Sequence, residues 1–324
     1  MDSFITKIIK NGGKLYPLII DSCHTNGTGL TNPSIFIDNN NILVNLRHVE
    51  YTLFHSEKKK YCHPWGPIQY LHRENDLHLR TNNYLCYLNN HYNIEGYSKV
   101  DTSLLDKPPL WDFVGLEDAR IVRWNNKLYL TGVRRDTTIN GQGRMELSEI
   151  IIEDSLFKEI SRSRIPAPDP DNSYCEKNWM PIIDMPFHYV KWCNPLEIVK
   201  VDPENSSCET VFLGQKFNHS HDFRGGSQII TYKDNYIALL HIVDLYQSET
   251  GRKDAKYQHI FMIWDKNWNL IKFSKPFNFL GGEVEFSCGM AYTNNKFLIT
   301  TGFQDNSSFL IECPEEIVEN FIDE

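Results

Sequence analysis

The segment Gly115-Leu116-Glu117-Asp118-Ala119-Arg120 sets two adjacent carboxylates and a guanidinium side by side. Paired carboxylates suit general acid–base work, and an arginine beside them can grip a sugar diol or a phosphate through its forked N–H groups. On a strand successive side chains alternate, so Asp118 and Arg120 are expected on one face and Glu117 on the other. An ordinary Asp–Arg pair that fixes the start of a strand would have the same residues. Such a partner also holds an aspartate ionised, which opposes proton donation unless burial or a second carboxylate raises its pKa.

Five apolar stretches end on polar or charged residues: Arg47, the Arg134–Arg135 pair, Lys191, His241 and Asp305. If equivalent strands converge, these ends line one polar funnel; taken singly, each marks only where a strand leaves the core. His219-Ser220-His221-Asp222 carries metal-ligand residue types, with both histidines on one strand face. No matching ligands occur elsewhere, so a loop or sugar-side contacts are expected, with no metal and no cofactor. Cys62-His63 before a proline reads as a turn. Glu283 and Glu285 alternate with Val284 and Phe286, which suits either a solvated face or the funnel. No nucleophile elbow, phosphate-binding Walker loop or dinucleotide fingerprint is present.

The elements that must position these groups are short. Apolar runs of strand length alternate with Asn, Asp, Gly, Ser and Pro clusters, and long helical periodicity is scarce. One hairpin design recurs, at Ser34 (SIFIDNNNILVNLR), Ala119 (ARIVRWNNKLYLTGV), Ser227 (SQIITYKDNYIALLH) and Gly289 (GMAYTNNKFLITTG), with a weaker copy at Asn178 (NWMPIIDMPFHYVKW). Asn and Asp tolerate the left-handed backbone of two-residue hairpin turns. An isolated hairpin is marginal in water, so five of them must cover one another. The chain length divided by five leaves about 65 residues a unit, enough for a four-stranded blade. The expectation is an all-β, five-bladed β-propeller in a single domain spanning 1–324, with its core at about 30–312 and short helical segments at Phe4–Asn11 and Cys313–Ile322. A pair of β-sandwiches is the alternative.

Composition narrows the partners. The formal charge of −9 and the absence of a long basic run argue against nucleic acid and against anionic membrane. Aromatic residues make up 13%, which suits strands and sugar-facing surfaces alike. No run of apolar residues is long enough for a membrane span, and Met1 to Gly13 lacks a secretory signal's apolar stretch. The eight cysteines contain no C-x-x-C pair and are expected as reduced thiols in the cytoplasm.

The Glu117-Asp118 segment resembles the Gly-x-Glu-Asp-Pro-Arg motif of the family-130 glycoside phosphorylases and hydrolases, five-bladed propellers acting on β-mannosides. It is also similar to that of their β-1,2-mannosyltransferase relatives. Further motifs follow in the family's order: Asn32-Pro33 with the strand ending at Arg47, Lys177-Asn178, Arg224-Gly225-Gly226-Ser227 with the strand to His241, and Gly302-Phe303-Gln304-Asp305. Gly143-Arg144-Met145-Glu146-Leu147 resembles the family's phosphate-arginine strand. The resemblance implies Asp118 as proton donor, acting through a sugar hydroxyl while phosphate attacks the anomeric carbon from the opposite face. It implies Arg47, Glu117, Arg120, Asn178 and Asp305 as substrate contacts. Phosphate, or the phosphate of a sugar-nucleotide donor, falls to Arg144, Arg134, Arg135, Lys177 and His241. Ala119 stands where the family has proline, and residues 134–143 read as an insertion. That leaves open which of the three arginines holds phosphate, and which donor is used. The expected activity is making or breaking a mannosidic bond in a small or oligomeric saccharide; a non-catalytic glycan-binding propeller is the alternative.

Overall fold

The computed structural model describes residues 3–38, 41–55, 68–71, 75–168, 173–219, 221–247 and 253–323. Its main strands form five antiparallel sheets that follow one another along the chain, a five-bladed β-propeller. The inner strands are Leu30–Asp38 in blade I, Glu117–Trp124 in blade II, Met180–Pro181 in blade III, the short pair Arg224–Gly225 and Ile230–Tyr232 in blade IV, and Glu285–Thr293 in blade V. Each is followed outward by its hairpin partner and then by two further strands. Blade V alone borrows: its outermost strand is Lys14–Pro17, paired with Ser307–Pro314. The ring is therefore closed by residues upstream of the expected core. Blade I carries an extra hairpin, Thr52–His55 with Ile68–Leu71. The expected turn at Cys62-His63 lies outside the described residues.

All five predicted hairpins form. In blades II, IV and V their turns are the pairs Asn125–Asn126, Lys233–Asp234 and Asn294–Asn295, all with positive φ. That is the mirror-image turn whose twist matches the flanking strands. The weak copy in blade III gives an inner strand of only two residues, Met180–Pro181.

Near-continuous apolar runs such as Ile237-Ala238-Leu239-Leu240 follow from burial of both sheet faces. Odd and even positions serve different neighbours. Leu43 and Leu85 of blade I pack on Ile121, Leu128 and Leu130 of blade II, whereas Val44, Leu46 and Cys86 pack on Leu298 and Leu310 of blade V. Comparable cores fill the interfaces II–III, III–IV and IV–V. The two helices, Phe4–Lys10 and Glu315–Asp323, belong to the last of these cores. Phe4 stacks on Phe277 at 4.3 Å between ring centres and meets Phe321 edge-on. Ser3 caps the first helix by accepting from Thr6 N.

Along the axis, polar side chains join blades that are not neighbours in sequence. Gln228, 1% exposed, donates to the carbonyls of Ile35 (2.8 Å) and Ile121 (3.0 Å) and accepts from Met290 N (3.3 Å). One amide thereby ties blades I, II and V to blade IV. No helix among the described residues is long and apolar enough to cross a membrane. The seven described cysteines are unbridged, and four of them, Cys86, Cys193, Cys288 and Cys313, are buried.

Candidate active site

Asp118 sits where the inner strand of blade II bulges. Glu117 pairs with Val133 and Arg120 with Thr131, so Asp118 and Ala119 together oppose Gly132. The bulge places Asp118 at φ +50°. Asn32 takes φ +44° at the corresponding break in blade I, and Asn178 takes φ +61° just ahead of the inner strand of blade III. Asp and Asn enter this left-handed region more readily than most residues. Gly132 is required opposite the bulge, because a Cβ there would come within 2.4 Å of Glu117 O.

The extra residue breaks strand alternation, and this corrects the expected arrangement of Glu117, Asp118 and Arg120. Both carboxylates face the same guanidinium: Arg47 donates from Nη1 to Asp118 Oδ1 at 2.9 Å, and its Nη2 lies 3.6 Å from Glu117 Oε2. Arg120 instead is fully enclosed. Its Nη1 donates to Asp118 O at 2.7 Å, and its Nε and Nη2 donate to Gly226 O at 2.9 and 2.8 Å, which pins the bulge to blade IV.

Three further groups lie around Arg47 and Asp118. Asn32 Nδ2 donates to Asp118 Oδ1 at 2.8 Å, and the Tyr51 hydroxyl accepts from Arg47 Nη2 at 2.9 Å. Asp305, at φ +48°, accepts from Thr31 Oγ1 at 3.5 Å, and its charge acts on Arg47. Neither Tyr51 nor the Asn32 amide could be assigned from spacing. The signal lay in the bulge, which a sequence pattern does not record.

Electrostatics separate the two neighbouring acids. Burial raises Glu117, and although Arg47 opposes this, its pKa stays above the usual carboxylate value. Burial would raise Asp118 as well, but Arg47 and the Asn32 hydrogen bond outweigh it and hold Asp118 below its ordinary value. Glu117 Oε1 and Asn178 Oδ1 are buried and find no partner among the described residues.

The cationic candidates divide by blade face. Lys177 is exposed, and its charge acts on Glu117, Asp118 and His241. Arg135 also acts on Glu117, and donates to Gly141 O (3.3 Å) and Cys175 Sγ (3.1 Å). Arg134, the last residue of the strand Lys127–Arg134, lies 3.1 Å from Glu146 Oε1 and 3.4 Å from Asp136 Oδ2. Arg144 donates to the carbonyls of Gly143 (2.8 Å) and Ser173 (2.9 Å). His241 is buried, with its ring 4.8 Å from that of Phe286. Burial, then His259, Lys177 and Arg224, hold it far below the usual histidine pKa, so it is neutral. Arg224, which lies beside His241 in register, was not among the expected site residues.

Two expectations shift, those for Lys191 and Glu285. Lys191 does not join the group; it pairs with Glu197 Oε2 at 2.9 Å on the next strand of its own blade. Glu285 faces neither solvent nor funnel. It is fully buried and accepts from the backbone N–H groups of Phe279, Leu280 and Gly282, anchoring that turn. His219 packs against Phe223, with ring centres 4.5 Å apart, and its Nδ1 accepts from His221 N. Among the described residues no group of three or more His, Cys, Asp or Glu is placed to hold a metal.

No protein-family model matches the chain, and no curated protein matches its sequence. Solved structures do match the fold. A β-1,2-mannobiose phosphorylase from Listeria innocua, in complex with β-1,2-mannobiose, is 13% identical with a TM-score of 0.56, over 95% of this chain and 96% of that one. A mannose phosphorylase from Leishmania mexicana, in complex with phosphate ion, is 11% identical with a TM-score of 0.51, over 96% and 92%. A GDP-Man-dependent mannosyltransferase from the same organism is 11% identical with a TM-score of 0.52, over 95% and 93%. The five-bladed architecture expected from the hairpins is the one these proteins share.

Proposed function

We propose that this chain is a carbohydrate-active enzyme that makes or breaks a glycosidic bond, by inverting phosphorolysis of a β-mannoside or by mannosyl transfer from a phosphate-bearing donor. The observation that carries the reading is the carboxylate of Asp118, presented on a strained bulge and held by Arg47 and Asn32 among sugar-binding residue types. The solved structures of similar fold supply its chemical context.

In the phosphorolytic direction a phosphate oxygen bonds to the anomeric carbon as the glycosidic C–O bond breaks. The leaving oxygen takes a sugar hydroxyl's proton, which Asp118 replaces, ending as carboxylate. Phosphate is already the nucleophile, so no second base is needed; the demand is for cations opposite the acid. Lys177 and Arg135 fill that place, with neutral His241 as a hydrogen-bonding partner and Arg224 beside it. Arg134 and Arg144 are less suited, because Arg134 is neutralised by Glu146 and Asp136 and Arg144 is bound to backbone carbonyls. Arg47, Glu117, Asn178 and Asp305 contact sugar hydroxyls, and Arg120 acts through the backbone of the bulge. A bound dianion near Lys177 counters the cations that depress Asp118, allowing it to carry a proton closer to neutral pH.

The second reading, a glycan-binding propeller, draws on the same ion pair: in the unliganded site Arg47 and Asn32 keep Asp118 ionised. A product assay decides, with β-1,2-mannobiose plus phosphate beside GDP-mannose plus mannose. We expect mannose 1-phosphate or GDP from the wild type, and a kcat lowered roughly 10²–10⁴-fold in Asp118→Asn with sugar binding retained. Full turnover by a folded Asp118→Asn would refute the acid assignment. Sugar binding by the wild type without either product would leave the glycan-binding reading.

A further inference from the structure

Between blades I and II, outside the Arg47–Asp118 group, lies a cleft of about 860 Å³. Its volume is within the range of about 300–1,000 Å³ common for small-molecule sites. One wall is Thr81 to Asn83 of blade I, and the other is Arg134, Ser148 and Arg162 of blade II. Val100, Leu105 and the Pro108–Pro109 pair add apolar surface where the chain crosses between the blades.

The blade II wall holds unsatisfied polar atoms. Ser148 Oγ and Asp136 Oδ1 belong to lining residues that are 2% and 9% exposed, and neither atom has a partner among the described residues. Glu146, two residues before Ser148 on the same face, is 1% exposed and leaves Oε2 without one. A buried polar atom with no hydrogen bond is unfavourable, so each of these favours a ligand that bonds to it. The two carboxylate oxygens accept, the Ser148 hydroxyl can accept or donate, and Arg134 Nε on the same wall is a donor that makes no hydrogen bond among the described residues, so the cleft suits groups that both donate and accept, as sugar hydroxyls do.

Its inner charges are already paired. Five basic and four acidic side chains line it, and the inner ones are engaged with each other: Arg134 with Glu146 and Asp136, Arg162 with Glu159 and with Asp106 at 3.1 Å. A phosphate or carboxylate would face acceptor oxygens and cations already paired. A neutral molecule rich in O–H groups, with C–H faces for the apolar edge, meets both conditions.

We propose that this inter-blade cleft is a second binding site, separate from the Asp118 site, for a neutral oligosaccharide. Thr81 forms part of its wall and accepts from Arg47 Nε at 3.4 Å, so an occupied cleft abuts the residue that holds Asp118.

Isothermal titration of the whole chain with β-1,2-mannotriose, maltotriose or inorganic phosphate, in phosphate-free buffer, tests this. Thr137 is an exposed lining residue, so Thr137→Trp obstructs the cleft without disturbing the fold. Ser148→Leu removes the orphan hydroxyl from within. For at least one trisaccharide the wild type is expected to bind at two sites, with one lost in Thr137→Trp and its Kd raised about tenfold or more in Ser148→Leu. Sugar isotherms that neither variant changes, or a cleft that takes only phosphate, would overturn the proposal. Because Asp118 takes no part in this site, the result stands whether or not Asp118→Asn loses turnover.

Discussion

Removing the Asn32 amide takes away one of the two hydrogen bonds on Asp118 Oδ1, while Arg47 remains. The folded-state pKa of Asp118 lies below its ordinary value, so Asn32→Ala moves it upward. A proton donor works only while protonated, and its rate falls as pH rises through that pKa. The falling limb of the kcat/KM profile should therefore shift to higher pH in Asn32→Ala, by roughly one unit, equivalent to about 1.4 kcal/mol. An unmoved limb would mean that Asn32 does not act on the acid. Stability responds with the opposite sign at the two neighbouring acids. Depressed Asp118 stabilises the fold above its unfolded pKa, a contribution lost as pH falls through its folded one. Raised Glu117 favours the fold at low pH, and that contribution is lost as pH rises through its own.

At the scale of the element, the bulge turns a strand into a site. Period-2 alternation alone would send Glu117 and Asp118 to opposite faces; the inserted residue puts both beside Arg47 and turns Arg120 inward. The bulge depends on close backbone approach at Gly132. Gly132→Ala should lower stability by about 1–3 kcal/mol in chemical denaturation and depress kcat more than binding, because it displaces Glu117 and Asp118 together. Gly96→Ala in an outer strand of blade I, where an added Cβ meets no atom within 4 Å, is the control and should leave both unchanged. Equal effects at the two positions would show that the bulge does not set the acid's geometry. A similar division sorts the arginines at that strand's end: Arg134, its last residue, enters the interface with blade I, and Arg135, just past it, acts on Glu117.

Across the whole molecule, five inter-blade cores and one borrowed strand close the ring, and Gln228 locks its axis. Gln228→Leu keeps the apolar bulk but leaves the carbonyls of Ile35 and Ile121 and the amide of Met290 without that partner. A stability loss of roughly 2–4 kcal/mol is expected from urea denaturation, with KM for the sugar unchanged. A change in KM with no loss of stability would place Gln228 in the site rather than the architecture. The net charge of −9 is compatible with an anionic small ligand, because Lys177, Arg135 and Arg224 lie near the Asp118 site while acids dominate the total.

The repeat, its turn chemistry and hence the blades can be read from the residues alone. Those are local: an Asn-Asn or Lys-Asp pair between two apolar runs takes the positive φ of a hairpin turn, whereas Asn82-Asn83 inside a strand does not, and apolar runs on both faces require covered sheets. The nearness of Glu117-Asp118 to Arg47 and Asp305 was also legible, since strand ends of successive blades converge, whereas Lys177 was indicated only by its motif and the strand end Lys191 turned elsewhere. Which way each side chain points depends on the packed neighbours. A bulge reverses alternation without a change of residue type, so Arg120 went to backbone carbonyls and Asn32 to the acid. Glu285 and Lys191 found partners within their own surroundings for the same reason: a strand end shows that a charge leaves the core, and only the packed neighbours fix where it goes.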